Sequence, residues 1–247
     1  MSIVDNIYSS NGLRTLLKED MRERKPLPMT NSILSSAKAL IVEYKRESPS
    51  GFSQKKVTDP LAFGNAIKPH ASALSVLSES QYFKGSFYDA VEMQRVGLPL
   101  LMKDFIDREE MIESGYNAGY DAILLIADFL SEKRIKELSD FALSLGMESL
   151  VEFHDYDAYE RIPEGRHIMV GYNRRNLRTL QMEPEESGAI EKMKNRKVRI
   201  MESGIDRSNY KDIINLDCNG FLIGTSVLND VEFLIELNEE RGNYHEE

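Results

Sequence analysis

Ala39-Leu40-Ile41-Val42-Glu43-Tyr44-Lys45 is a short apolar run that ends in charge. Its length and its Ile and Val read as a buried strand. The same pattern recurs downstream. Pro99-Leu100-Leu101-Met102 runs into Lys103, Leu150-Val151 into Glu152, and Val198-Arg199-Ile200-Met201 into Glu202. A buried charge is costly unless it is paired or used, so four strands ending alike point to a shared purpose. Parallel strands closed into a barrel would gather these ends at one rim. In a (β/α)8 barrel that rim is where active sites are built.

A strand–helix alternation runs from this stretch to the end of the chain. It predicts strands at 38–44, 72–77, 99–103, 121–126, 147–152, 167–171, 197–201 and 219–223. Helices are predicted at about 59–67, 86–95, 107–118, 131–145, 155–161, 184–194, 206–216 and 229–240. This rhythm and length fit an α/β fold of the (β/α)8 TIM-barrel type, with a doubly wound open sheet as the runner-up. Helix signals support the register. Asp107 precedes a helix opening with Glu109 and Glu110, Ser131 is an N-cap, and Gly146 is a C′ glycine. Residues 1–36 are polar, with Ile3, Ile7, Leu13, Leu16 and Leu17 at roughly helical spacing. They read as one or two helices broken by Pro26 and Pro28, an N-terminal extension of one domain spanning 1–247.

The 247 residues carry a formal charge of −10, which argues against broad nucleic-acid binding. A few clustered cations could still receive a small anion. The single cysteine, Cys218, excludes an intrachain disulfide and reads as a buried apolar residue in a reducing compartment. The longest apolar run, Ala122 to Ala127, is far short of a membrane span, and the N-terminus has no signal-peptide stretch. The expectation is a cytoplasmic protein that binds neither membrane nor nucleic acid.

Glu43 and Lys45, two apart on one strand, share a face. They could grip one ligand or form an ordinary solvated face. Lys103 is open to three readings: a general acid, a Schiff-base nucleophile, or a salt-bridge partner. Burial would lower its pKa, whereas carboxylate neighbours would raise it. Ser203-Gly204-Ile205 follows the seventh strand and Ile223-Gly224-Thr225-Ser226 the eighth. Those two loops are the usual phosphate site of this fold, and Ser48-Pro49-Ser50-Gly51 adds a third glycine- and hydroxyl-rich loop at the same end. His70 and His167 fall at the opposite end, and His245 in a polar tail. His154 could share a face with Glu152, but no further ligands suggest a metal. P-loop, dinucleotide and Gly-x-Ser-x-Gly fingerprints are absent.

From about residue 38 to residue 230 the chain resembles the indole-3-glycerol phosphate synthase family. The segments that carry the resemblance run from Val42 to Gly51, Tyr82 to Ser86, Leu101 to Ile106, Leu150 to Glu152, Gly171 to Leu177, Glu202 to Ile205 and Phe221 to Ser226. The resemblance implies conversion of 1-(2-carboxyphenylamino)-1-deoxyribulose 5-phosphate to indole-3-glycerol phosphate, carbon dioxide and water, in tryptophan biosynthesis and without a cofactor or metal. It makes Lys103 the general acid on the ketose carbonyl. Lys45 would hold the substrate carboxylate and assist loss of the hydroxyl, and Glu43 and Glu152 would handle protons. Asn173, Glu202 and Ser203 would orient the lysines and substrate. Ser48, Gly204, Gly224 and Thr225 would receive the phosphate, and Pro49 would also bind substrate. Phe83, Phe105, Leu124 and Leu222 would line the aromatic slot, with Arg175 near the anionic groups. A monomer or weak homo-oligomer is implied, working alone or beside a tryptophan synthase.

The chain departs from the family pattern at Asn176, where an acidic residue is common, at Tyr172 before the asparagine, and at Thr225 in place of serine. An aldose–ketose isomerase barrel and a non-catalytic phosphate-binding barrel are the competing readings.

Overall fold

The structure, a computed structural model, describes residues 2–49, 51–54, 58–230 and 232–242. Ser50 and His245 lie outside the described residues. Eight parallel strands close into a barrel in chain order. They are β1 (Ala39–Tyr44), β2 (Ala73–Leu77), β3 (Leu100–Lys103), β4 (Ala122–Ile126), β5 (Glu148–Phe153), β6 (Ile168–Asn173), β7 (Arg199–Glu202) and β8 (Gly220–Ile223). Each strand matches its sequence expectation to within a residue or two, and β1 pairs with β8 to close the ring. The open-sheet alternative is thereby excluded.

Two helices precede the barrel, α1 (Ile3–Ser10) and α2 (Met29–Leu34). The helices that cover it are α3 (Pro60–Ile67), α4 (Phe87–Met93), α5 (Glu109–Ala118), α6 (Glu132–Ser144), α7 (Tyr156–Tyr159), α8 (Glu186–Met193), α9 (Tyr210–Ile214) and, after β8, α10 (Thr225–Asn229) and α11 (Glu232–Gly242). Ser131 caps α6 by accepting from Arg134 N, and Gly146 follows that helix with φ 78°. Strand periodicity sorts the core into two layers. Leu40, Val42, Leu74, Val76 and Met102 face the outer helices, while Ile41, Leu101, Leu124, Leu150, Ile200 and Leu222 fill the barrel.

The N-terminal extension departs from its reading. Leu16 and Leu17 are not in a helix, and Leu13 only closes a single 3₁₀ turn (Asn11–Leu13), where it is 90% exposed. Pro28 does not break a helix but stands as the N-cap of α2. The two helices lie at opposite ends of the barrel and close it like stoppers. Met29 and Ile33 of α2 join the interior cluster at the bottom, where Thr30 N donates to Glu148 at the start of β5 (2.7 Å). Val4 and Ile7 of α1 join the same cluster from the top.

Residues 14–28 run down the outside between these ends. Asp121, fully buried just before β4, anchors them at the bottom. Its carboxylate takes both guanidinium nitrogens of Arg24 (2.6 and 2.7 Å), Leu27 N (2.9 Å) and Leu100 N (2.8 Å). Arg14 ties the upper end to Asp104 through two bonds of 2.6 Å. Removing one partner of a buried pair strands the other charge at a cost of about 3–5 kcal/mol. We expect Asp121→Ala to lower unfolding free energy by that order in urea titration. An unchanged midpoint would show that the strap adds nothing to stability.

Candidate active site

A cavity of about 920 Å³ opens at the C-terminal rim of the barrel. Every site residue singled out from the sequence lines it: Glu43, Lys45, Ser48, Pro49, Phe83, Lys103, Phe105, Leu124, Glu152, Asn173, Arg175, Glu202, Ser203, Gly204, Leu222, Gly224 and Thr225. The structure thus brings all of them together.

The floor is ionic. Lys103 Nζ lies 2.6 Å from Glu152 Oε2 and 3.1 Å from Glu202 Oε2. Asn173 Nδ2 donates to the other Glu152 oxygen (3.2 Å), and Asn173 Oδ1 accepts from Arg175 N (2.9 Å). Across the floor Lys45 Nζ reaches Glu43 Oε1 (2.7 Å) and sits 5.4 Å from the Phe52 ring. The shared strand face thus becomes a contact pair.

Sheet register and glycine make room for these carboxylates. Glu152 stands opposite Gly171 and Glu202 opposite Asn173. A Cβ on Gly171 would collide with Glu202 Oε1, and one on Gly224 would crowd the Glu43 carboxylate. Each missing side chain is the space an acid occupies.

Burial and neighbouring charge pull these groups in opposite directions. Burial works against the Lys103 ammonium, but the Glu152, Glu202 and Glu43 carboxylates outweigh it and hold its pKa above the ordinary value. Burial would likewise raise Glu43, yet Lys45, Lys103 and Arg175 bring it below the usual carboxylate range. Glu202 goes the other way. Burial and the adjacent Glu152 overcome Lys103 and push it up to about 8. Its Oε1 is buried without a hydrogen-bond partner, as suits a carboxyl that keeps a proton to offer a ligand.

One side of the cavity is apolar. Phe83 and Phe105 stand 6.0 Å apart, beside Leu124 and Leu222. Phe83 is held from below by Glu79, whose carboxylate accepts the N–H groups of Gln81, Tyr82 and Phe83 (2.8, 2.7 and 3.0 Å). The other side is backbone. Ser203 and Gly204 leave β7 with φ of 72° and 65°, and Gly224 opens the turn into α10. A non-glycine residue at such a φ costs about 1 kcal/mol or more, and persists only where its surroundings impose it. Ser226 Oγ donates to Ile205 O (2.7 Å) and ties the two turns together.

Three findings were not anticipated. Ile3, Val4 and Ile7 of α1 form part of the lining. Their helical spacing was visible, but nothing in it says which end of the barrel the helix covers. The short helix α10 fills the stretch between the eighth strand and the last predicted helix. His154 does not share the face of Glu152. Its Nδ1 meets Asn173 O at 2.8 Å and its Nε2 faces Glu183 at 3.5 Å, outside the cavity. Asn176 also turns away, accepting from Arg178 N and donating to Glu183 (2.9 and 3.1 Å), so the missing acid there leaves the floor intact.

The shift on Glu202 has a stability consequence. Between its ordinary value of 4.5 and about 8 the folded protein holds a proton that the unfolded chain has lost. The stabilisation is therefore complete below pH 4.5 and disappears as pH rises through 8. We expect wild-type protein to lose more stability than Glu202→Gln between pH 5 and pH 9 in urea titration. Parallel profiles would mean that Glu202 titrates as an ordinary carboxylate.

Comparison with known proteins agrees with this geometry. The family model described as indole-3-glycerol phosphate synthase matches residues 3–238. The indole-3-glycerol phosphate synthase of Picrophilus torridus is 42% identical over 233 residues, covering 92% of each chain. That of Thermoplasma volcanium is 39% identical over 232 residues, covering 91% of this chain and 92% of the relative. Among solved structures, 3-hexulose-6-phosphate synthase from Salmonella typhimurium superposes with a TM-score of 0.66 at 12% identity, over 84% of this chain and all of the other. The tryptophan synthase alpha subunit of Legionella pneumophila gives 0.62 at 10%, over 88% and 99%. At those identities the two structures bear on the barrel fold alone.

Proposed function

The chain belongs to the indole-3-glycerol phosphate synthase family, and from that membership and the rim geometry we propose how it closes the indole ring. The reaction converts 1-(2-carboxyphenylamino)-1-deoxyribulose 5-phosphate to indole-3-glycerol phosphate, carbon dioxide and water. The observation that carries this reading is the placement of Lys103 between two buried carboxylates, with an aromatic wall on one side and the glycine turns on the other.

A flat anionic ring fits between Phe83, Phe105, Leu124 and Leu222, with Lys45 and Arg175 as countercharges for its carboxylate. The phosphate goes to the turns at Gly204 and Gly224, with Ser48, Pro49, Ser203 and Thr225 around it. Pinned at both ends, the ribulose chain must bend so that its ketone meets the ring carbon bearing the carboxylate. Holding two reacting carbons this way is worth up to about 7–11 kcal/mol of barrier.

Lys103 gives its proton to the ketone oxygen as the carbon–carbon bond forms. The carboxylate then leaves as carbon dioxide, and its bonding electrons restore the aromatic ring. Lys45 protonates the departing hydroxyl, which leaves as water, while Glu152 or Glu43 takes a proton from the neighbouring methylene carbon. Two protons are given and one recovered, so one is taken from solvent per turnover. With Glu202 protonated, the three cationic side chains Lys45, Lys103 and Arg175 outnumber the two remaining acidic ones, Glu43 and Glu152. That local excess suits an anionic substrate in a chain of net charge −10.

One chain supplies every side chain of this rim, so we take a single domain acting as a monomer to be sufficient, in the cytoplasm where its substrate would be made. Supplying the purified protein with the substrate should produce indole fluorescence. Lys103→Ala should cut turnover by a factor of about 100 or more while leaving affinity for a phosphate-bearing product analogue near wild type. Normal turnover in that variant would reduce Lys103 to an ion-pair partner.

A further inference from the structure

Arg174 lies next to the site without lining it. It follows Asn173 at the end of β6 and is only 6% exposed. Its Nε donates to Glu186 Oε1 at 2.6 Å, so its charge is matched there and not in the cavity. Its Nη1 donates to two successive backbone carbonyls, Ser203 O at 3.1 Å and Gly204 O at 3.0 Å. Those carbonyls belong to the turn with two consecutive positive φ angles.

The planar peptide turns this contact into an orientation. In a trans peptide the C=O of one residue and the N–H of the next point in opposite directions. Drawing the Ser203 and Gly204 oxygens toward Arg174 therefore aims the Gly204 and Ile205 N–H groups the other way. Both residues line the cavity, and neither N–H donates to any described residue. Asn209 Nδ2 shares the load by donating to Gly204 O (2.8 Å).

We propose that Arg174 is a positioning residue for the phosphate end of the substrate: by fixing the Ser203 and Gly204 carbonyls it presents two free backbone N–H donors to the phosphate. This deepens the ring-closure reading and rests on its placement of the phosphate. Arg174 contributes through backbone orientation and makes no contact with the ligand. It explains why a serine tolerates a left-handed φ at this point, since the guanidinium imposes the conformation from behind.

The test separates binding from chemistry. Arg174→Gln should raise KM for the phosphorylated substrate about tenfold or more, as for weakened charge-assisted hydrogen bonds. It should weaken competitive inhibition by inorganic phosphate by the same factor and leave kcat within about threefold. Arg174→Lys, which keeps a cationic donor, should recover part of the loss. An unchanged KM in Arg174→Gln, or a fall in kcat with KM unmoved, would overturn the proposal. A second measurement needs no variant and covers the case in which Arg174→Gln does not fold. In wild-type protein the amide signals of Gly204 and Ile205 should move on titration with inorganic phosphate, and their constancy at saturation would also overturn it. The amide titration does not depend on turnover. A wild-type protein that binds phosphate in this way but forms no indole would overturn the ring-closure reading alone.

Discussion

One lysine shared by two buried carboxylates sets the terms for the rest of this structure. Lys103 cannot neutralise both Glu152 and Glu202, and the two carboxylates are withdrawn from water while the lysine is only partly so. The surplus negative charge has two outlets. One is a proton held on Glu202 near neutral pH, and the other is the nearby cations Lys45 and Arg175. A cluster of this kind is a poor way to gain stability, because desolvating several charges costs more than their mutual attraction returns unless each is well paired. Its presence at the end of a largely apolar barrel interior is best explained by use.

The surrounding fold makes the cluster possible. A closed parallel barrel puts all eight strand ends on one rim, so residues far apart in sequence meet without long loops. Side-chain volume is managed at the same point. Gly171 and Gly224 vacate the space that Glu202 and Glu43 fill. The N-terminal strap then closes both ends. Asp121 fixes it at the bottom, while Arg14 and Asp104 fix it beside Lys103 at the top, where α1 lays Ile3, Val4 and Ile7 over the cavity. That apolar cover narrows solvent access to the floor, and a less polar surrounding strengthens the electrostatics on which acid–base chemistry relies.

Much of this was legible in the sequence because barrel architecture converts order into position. Once Glu43, Lys103, Glu152 and Glu202 are recognised as strand ends, closure alone brings them together, and contact distances add detail to a constellation already implied. Glycine turns after the seventh and eighth strands are legible for the same reason. Illegible features depend on contacts that no periodicity encodes. Leu13, Leu16 and Leu17 mimic helical spacing, yet beyond the 3₁₀ turn that ends at Leu13 the chain is irregular: Asn117 Nδ2 donates to Leu17 O and Lys18 O, and further along Met21, Arg22 and Glu23 bond to Asn117, Tyr116 and Gln94. His154 looks like a partner of Glu152 by spacing, but β5 ends at Phe153 and its ring turns to Asn173 O. The sign of the Glu202 shift was unreadable too, because it depends on the missing side chain of Gly171 and on how one ammonium is divided between two acids.

The cavity divides its labour between two kinds of positive potential. At the floor, side-chain cations sit among carboxylates, where protons can be exchanged and charge can change during a reaction. At the proposed phosphate end, the ring-closing chemistry leaves the charge of the ligand untouched, so fixed backbone dipoles would suffice. A third lysine there would add a titratable group and a flexible side chain to a task that needs neither. Arg174 fits this logic, since its charge is spent on Glu186 and its remaining donors hold the peptide planes. In the proposed binding mode, a substrate anchored by backbone dipoles at one end and bounded by aromatic rings at the other would meet the proton-transferring groups only at its centre. Segregating the two potentials in this way would keep binding from competing with catalysis for the same protons.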